Sequence, residues 1–125
     1  ANQVLAWHNR ACAFLALRDP AAALADEARA VALSPGYAPA YYIRARAHQE
    51  LGQLQEAEAE AGRATTARPT YAAAWLLRAQ LRVQRSDRDG ALADARQALA
   101  TSTAGSAVRA DADRLRAELE GAGAR

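Results

Sequence analysis

The feature that most limits what this chain can fold into is a step of 34 residues that recurs along it. Trp7, Tyr41 and Trp75 stand 34 apart, as do Arg10, Arg44 and Arg78, and then Ala11, Ala45 and Ala79. The same step joins Ala23, Ala57 and Ala91, and Ala30, Ala64 and Ala98. It also links Pro35 to Pro69 and Tyr37 to Tyr71, while Thr103 stands where a third proline would fall. A fixed step of this length marks a repeat architecture. Each unit is one supersecondary piece that cannot bury its apolar face alone and does so by stacking on its neighbours.

The units fall at about 4–37, 38–71 and 72–105 within one domain, 1–125, and each divides into two helices. In the second unit, 38–51 reads as a helix, Gly52 and Gln53 as a turn, and 54–67 as a second helix. Glycine tolerates the left-handed conformation that ends a helix, and Pro69 cannot continue one. Asp19-Pro20 opens the second helix of the first unit, aspartate as N-cap and proline in the first turn. Ser86-Asp87 can cap the corresponding helix of the third. Ala23 and Ala30 with Leu24 and Val31 recur at helical spacing and line one face. After the repeats, Ser106 is a plausible N-cap. Val108, Ala112, Leu115 and Leu119 then form an apolar stripe, with Arg109, Asp113, Arg114, Arg116 and Glu120 facing away. Such a helix over 106–120 can cover the open end of a stack. At the other end Asn2 is a candidate cap.

These residues resemble the tetratricopeptide repeat family. The first unit matches its pattern at Trp7, Ala11, Phe14, Ala23, Ala30 and Pro35, and the second at Tyr41, Ala45, Gly52, Ala57, Ala64 and Pro69. The third matches at Trp75, Ala79, Ala91 and Ala98. His48 and Arg82 depart from the second aromatic position, and arginine replaces the family's leucine before the small residue in every unit. The resemblance implies an all-α fold, a right-handed α-α superhelix (solenoid) of three helix-turn-helix repeats plus a capping helix.

Composition narrows the function. All 16 basic residues are arginine, set against 14 acids for a net charge of +2. The two signs alternate, so no basic arm emerges. Arg78, Arg82 and Arg85 share a helix face, but Asp87, Asp89 and Asp94 lie close by. Ion pairing across units fits them better than nucleic-acid binding, which wants a continuous basic stripe with stacking aromatics. The arginine and alanine bias suggests a bacterial source. No apolar run reaches the ~20 residues of a membrane span. No signal peptide is read, and the cytoplasm is the default expectation. The chain contains no methionine, so a fragment or trimmed product is expected.

Nor does a catalytic, metal or cofactor constellation emerge, and no enzyme is expected. His8 and Cys12 share a face four residues apart. A Cys-His nucleophile needs a third group to orient the base, and no acid stands at helical spacing; Asn9 is the nearest candidate. A zinc site would need His48 or carboxylates from other units. Cys12 therefore reads as a small half-buried thiol. Glu56, Glu58 and Glu60 spread around their helix and read as solvated surface, with Arg63 available to Glu60.

What the resemblance implies instead is a partner-binding groove lined by the first helix of each unit. Carried over position by position, it comprises Leu5, His8, Asn9, Cys12 and Leu15, then Tyr42, Ile43, Arg46, Gln49 and Glu50, then Leu76, Leu77, Gln80, Val83 and Gln84. His8, Asn9, Cys12, Tyr42, Arg46, Gln49, Leu76, Gln80 and Gln84 are the expected contacts with a protein or peptide. Ile43 and Leu77 could equally pack between helices. The family's carboxylate clamp is not matched, because His8, Cys12, Ile43, Ala73 and Leu77 stand at its positions. Two rivals remain: a homo-oligomer formed through an N-terminal face with Val4, Leu5, Phe14 and Leu24, or a regulatory segment of a larger enzyme.

Overall fold

The computed structural model describes residues 2–124. It consists of α1 (Asn2–Ala16), α2 (Pro20–Leu33), α3 (Ala38–Glu50), α4 (Leu54–Ala67), α5 (Ala72–Gln84), α6 (Arg88–Thr101) and α7 (Ala107–Ala124). Among the described residues there is no strand, and no helix is long and apolar enough to cross a membrane. The expected cap at Asn2 concerns a side chain outside those described.

The three turns inside the units are built alike. Arg18, Gly52 and Ser86 occupy equivalent positions, and all three have positive φ, at 65°, 75° and 63°. The next residue then reaches back to close the turn: Asp19 N–H donates to Phe14 O, Gln53 N–H to His48 O, and Asp87 N–H to Arg82 O. This six-to-one bond satisfies carbonyls that the helix end leaves open. Asp19 and Asp87 cap the next helix by accepting from the N–H of Ala22 and Gly90. Gln53 makes no side-chain cap. Ser106 Oγ accepts from Arg109 N–H and so caps α7.

Alanine sets the packing. The alanines at the repeated positions 11, 45, 79, 23, 57, 91, 30, 64 and 98 are all fully buried. With no side chain beyond Cβ, they let helix backbones approach closely, and interiors at crystal-like density leave no room for more. Each helix packs on the next in sequence. In addition α1 packs on α3 and α5 on α7, and Gln49 of α3 reaches Gln84 of α5, whereas among the described residues α2, α4 and α6 make no comparable contact with one another. The first helices therefore form an inner layer and the second helices an outer one.

Helix α7 closes the far end. Ala112 is buried with Leu76 and Ala98, flanked by Val108 and Leu115. The Arg88 guanidinium donates to the carbonyl of Leu119.

Candidate partner-binding face

The repeated arginines are consumed in holding each unit together. Arg10 pairs with Asp26 and Arg78 with Asp94, both in two-pronged hydrogen bonds, and Arg44 pairs with Glu60. Asp26, Glu60 and Asp94 are themselves 34 apart, and each is buried. Every unit thus fastens its first helix to its second with the same ion pair. A planar guanidinium suits that geometry.

Two expectations change here. Glu60 is not solvated surface but a buried partner of Arg44 and Arg63, and Glu58 holds Arg82 and Arg85. Glu58's bonds to those two arginines hold its carboxyl below the ordinary glutamate range, although burial alone would raise it. The bonds from Arg82 and Arg85 to Glu58 join the third unit to the second, as expected. Arg78 instead pairs within its own unit.

A second repeated pattern lines the inner layer. His8, Tyr42 and Leu76 are equivalent positions, and so are Tyr37, Tyr71 and Gly105. His8 meets Tyr37 edge-on, with ring centroids 5.3 Å apart, and Tyr42 meets Tyr71 at 5.4 Å. Both are favourable aromatic arrangements. Burial pushes the Tyr71 hydroxyl up to about 12, so it stays protonated. Arg46 lies 6.0 Å from the Tyr42 ring centroid and Arg68 lies 5.2 Å from that of Tyr71. Neither arginine has an ion-pair partner among the described residues.

The expected contact residues divide by exposure. Asn9, Arg46, Gln80 and Gln84 are exposed, while His8, Cys12, Tyr42 and Gln49 are half-buried. Gln49 donates an amide hydrogen bond to Gln84 across the unit boundary. Leu76 is buried at 7% exposure in the cluster beneath α7. It is committed to the core and offers a partner little surface. Ile43, Leu77 and Leu15 are buried likewise. At the N-terminal face only Leu5 is exposed; Val4 is half-buried, and Phe14 and Leu24 pack against the first core cluster.

The sequence reading missed Glu27. It belongs to α2, 19 residues from His8, yet its Oε2 lies 2.8 Å from His8 Nδ1. On the other side of the ring, His8 Nε2 lies 3.6 Å from Cys12 Sγ. Glu27 is fully buried, and its Oε1 has no hydrogen-bond partner. Burial raises its carboxyl above the ordinary glutamate range, against the pull of the hydrogen bond from His8. Burial and the Glu27 charge also raise the Cys12 thiol. Ala61 and Ala95 stand at the equivalent positions of the other units, so nothing in the repeat requires a carboxylate there. That break in the pattern was the available signal. The three groups form a chain with the imidazole in the middle, and do not converge on one point. Among the described residues no set of His, Cys, Asp or Glu is grouped to hold a metal ion.

Comparison with known proteins agrees with this architecture. The family profile described as Tetratricopeptide repeat matches residues 38–71, the span expected for the second unit. No curated protein matches the sequence. Among solved structures, the first TPR of Spaghetti (RPAP3), bound to the HSP90 peptide SRMEEVD, superposes with a TM-score of 0.89 at 16% identity, over 100% of this chain and 96% of that one. The Sgt2 TPR domain from Aspergillus fumigatus gives 0.86 at 20% identity, over 100% and 84%. The Arabidopsis OM64 TPR domain gives 0.81 at 24%, over 94% and 97%.

Proposed function

We propose that this chain, an array of tetratricopeptide repeats closed by α7, is an interaction module that holds a protein or peptide along the face made by α1, α3 and α5. The observation that carries this reading is the state of Arg46. The arginines at 10, 44, 78, 82 and 85 are each bound to a carboxylate. Arg46 is exposed on the inner layer beside Tyr42, with no such partner among the described residues. An aromatic and an arginine side by side are what energetically dominant contact sites favour. Asn9, Gln80 and Gln84 add exposed amides that can meet a peptide backbone.

The Spaghetti domain is similar in fold and holds an HSP90 peptide. This chain is set up for a different ligand. At the family's clamp positions it has His8, Cys12, Ile43, Ala73 and Leu77, and two of these, Ile43 and Leu77, are buried. There is no fixed cation among the five to grip a terminal carboxylate.

The test is affinity capture from the source cell with the chain and with a Tyr42→Ala, Arg46→Ala double variant. Captured partners are expected to fall away while helical circular dichroism stays the same, since both side chains lie outside the fully buried core. Capture undiminished by the double change would overturn the assignment of this face.

A further inference from the structure

The first unit holds a constellation that the other two lack. Reading across the repeat, Cys12, His8 and Glu27 stand where the second unit has Arg46, Tyr42 and Ala61, and the third has Gln80, Leu76 and Ala95. Two units of the same chain therefore show that the fold is satisfied without any of these groups. A fully buried carboxylate with one oxygen unpartnered is costly, and fold stability does not account for it.

We propose that Cys12 is a thiol built for exchange with low-molecular-weight disulfides, with His8 as its base and Glu27 as the residue that positions that base. A carboxylate only accepts hydrogen bonds, so His8 Nδ1 carries the hydrogen toward Glu27 and Nε2 is left to accept from the thiol. The i, i+4 spacing of His8 and Cys12 on α1 holds the two in reach. Exchange proceeds with every atom accounted for. The Sγ proton moves to His8 Nε2, and the Sγ electron pair attacks one sulfur of the disulfide. The disulfide bond breaks, and the departing sulfur leaves as a thiolate that takes the proton back from His8.

The site's surroundings favour this reaction over acyl transfer. Cys12 lies in the middle of α1, where backbone N–H groups are engaged in the helix and cannot form an oxyanion hole. Nor does a helix N-terminus lower the thiol's pKa. Activation falls to the neighbouring base. Cys12 is the chain's one cysteine, so no second thiol of this chain can resolve the mixed disulfide, and the adduct stays until an external thiol reverses the exchange. It would sit beside His8, Tyr42 and Arg46 and occupy the start of the proposed binding face. The exchange itself does not depend on that face binding anything.

The experiment follows release of a coloured thiol from an aromatic disulfide by the full chain across pH 5–9, with intact mass to count adducts. The titratable and charged groups facing Cys12 are His8 on its own helix, Glu27 from α2, Arg46 from α3, and Tyr37 and Tyr71 from the residues just before α3 and α5. Glu27→Ala separates the mechanisms by sign. Removing its negative charge lowers the thiol's pKa, so a thiol acting alone would react faster. A thiol that depends on an oriented His8 reacts slower, by about tenfold or more. His8→Tyr, which installs the second unit's residue, is expected to slow the reaction by a similar factor. Its rate should then rise about tenfold per pH unit, as for an unassisted thiol whose reactive form is the thiolate. Faster or unchanged reaction in Glu27→Ala, a His8→Tyr rate within twofold of the parent, or no adduct on the parent chain would each overturn the proposal. Both variants carry residues already present in sibling units; because His8→Tyr alone leaves Glu27 without its imidazole, the double variant His8→Tyr, Glu27→Ala, which reproduces the second unit's pair, is read beside it and should react as slowly.

Discussion

At the scale of single residues, the chain uses one chemistry repeatedly and departs from it once. The pairs Arg10–Asp26, Arg44–Glu60 and Arg78–Asp94 repeat a buried acid against an arginine, which is exposed at position 10 and half-buried at 44 and 78. Breaking such a pair leaves a charge without compensation, which is costlier than never having built it. Glu27 is the departure, and its energetics run the other way. Its folded-state pKa lies above the ordinary value, so its contribution to stability is intact below the usual glutamate range and is lost as pH rises through the raised value. Glu27→Gln keeps the shape and an acceptor for His8 but removes the charge. Urea denaturation at pH 7 should show it more stable than the parent, by about 1–2 kcal/mol on the scale of buried-charge replacements. The gain should vanish on acidification to below about pH 4.5, the ordinary glutamate value. A variant less stable at pH 7, or a gain that grows toward acid, would show that Glu27 stabilises the fold as a charge.

At the scale of helices and turns, one backbone device is written three times with different residues. The positive φ at positions 18, 52 and 86 suits glycine and strains a residue with a Cβ. Glycine stands at only one of the three. Ser86→Gly should therefore raise stability by up to about 1 kcal/mol, and Gly52→Ala should lower it by about 1 kcal/mol. Thermal melts of the two variants check both signs. A Cβ at Gly52 would meet nothing within 4 Å, so its cost comes from the backbone alone. Arg18 also carries a positive φ, but its exposed ion pair with Glu50 makes it a less clean position to change.

For the whole molecule, stability passes between neighbours, because each helix contacts those beside it and little else. Ala112 on α7 is fully buried against Leu76 and Ala98, so Ala112→Arg should peel the end of the stack. Hydrogen exchange is expected to show α5 to α7 losing protection while α1 and α2 keep theirs. Uniform loss along the chain would mean that the array unfolds as one block. The repeat, the helix pairs and the caps Asp19, Asp87 and Ser106 could be read from the order of residues, since helix spacing, capping residues and a 34-residue step are local or periodic facts. The acids at 26, 60 and 94 obey the same step as Arg10, Arg44 and Arg78, so their pairing was legible by an arithmetic that the arginines alone did not prompt. Burial of Leu76 was not legible, because it depends on α7 folding back over α5 and α6. The meeting of Glu27 with His8 was beyond the sequence for a similar reason. The two groups lie on different helices, and only the angle at which α2 packs against α1 brings the carboxylate to the ring. The linear order of residues thus determined that helices would form and stack. The packing of those helices decided which charges went inside and which side chains met, because contact between residues on different helices depends on how the helices pack, and spacing reveals it only where the contact repeats from unit to unit.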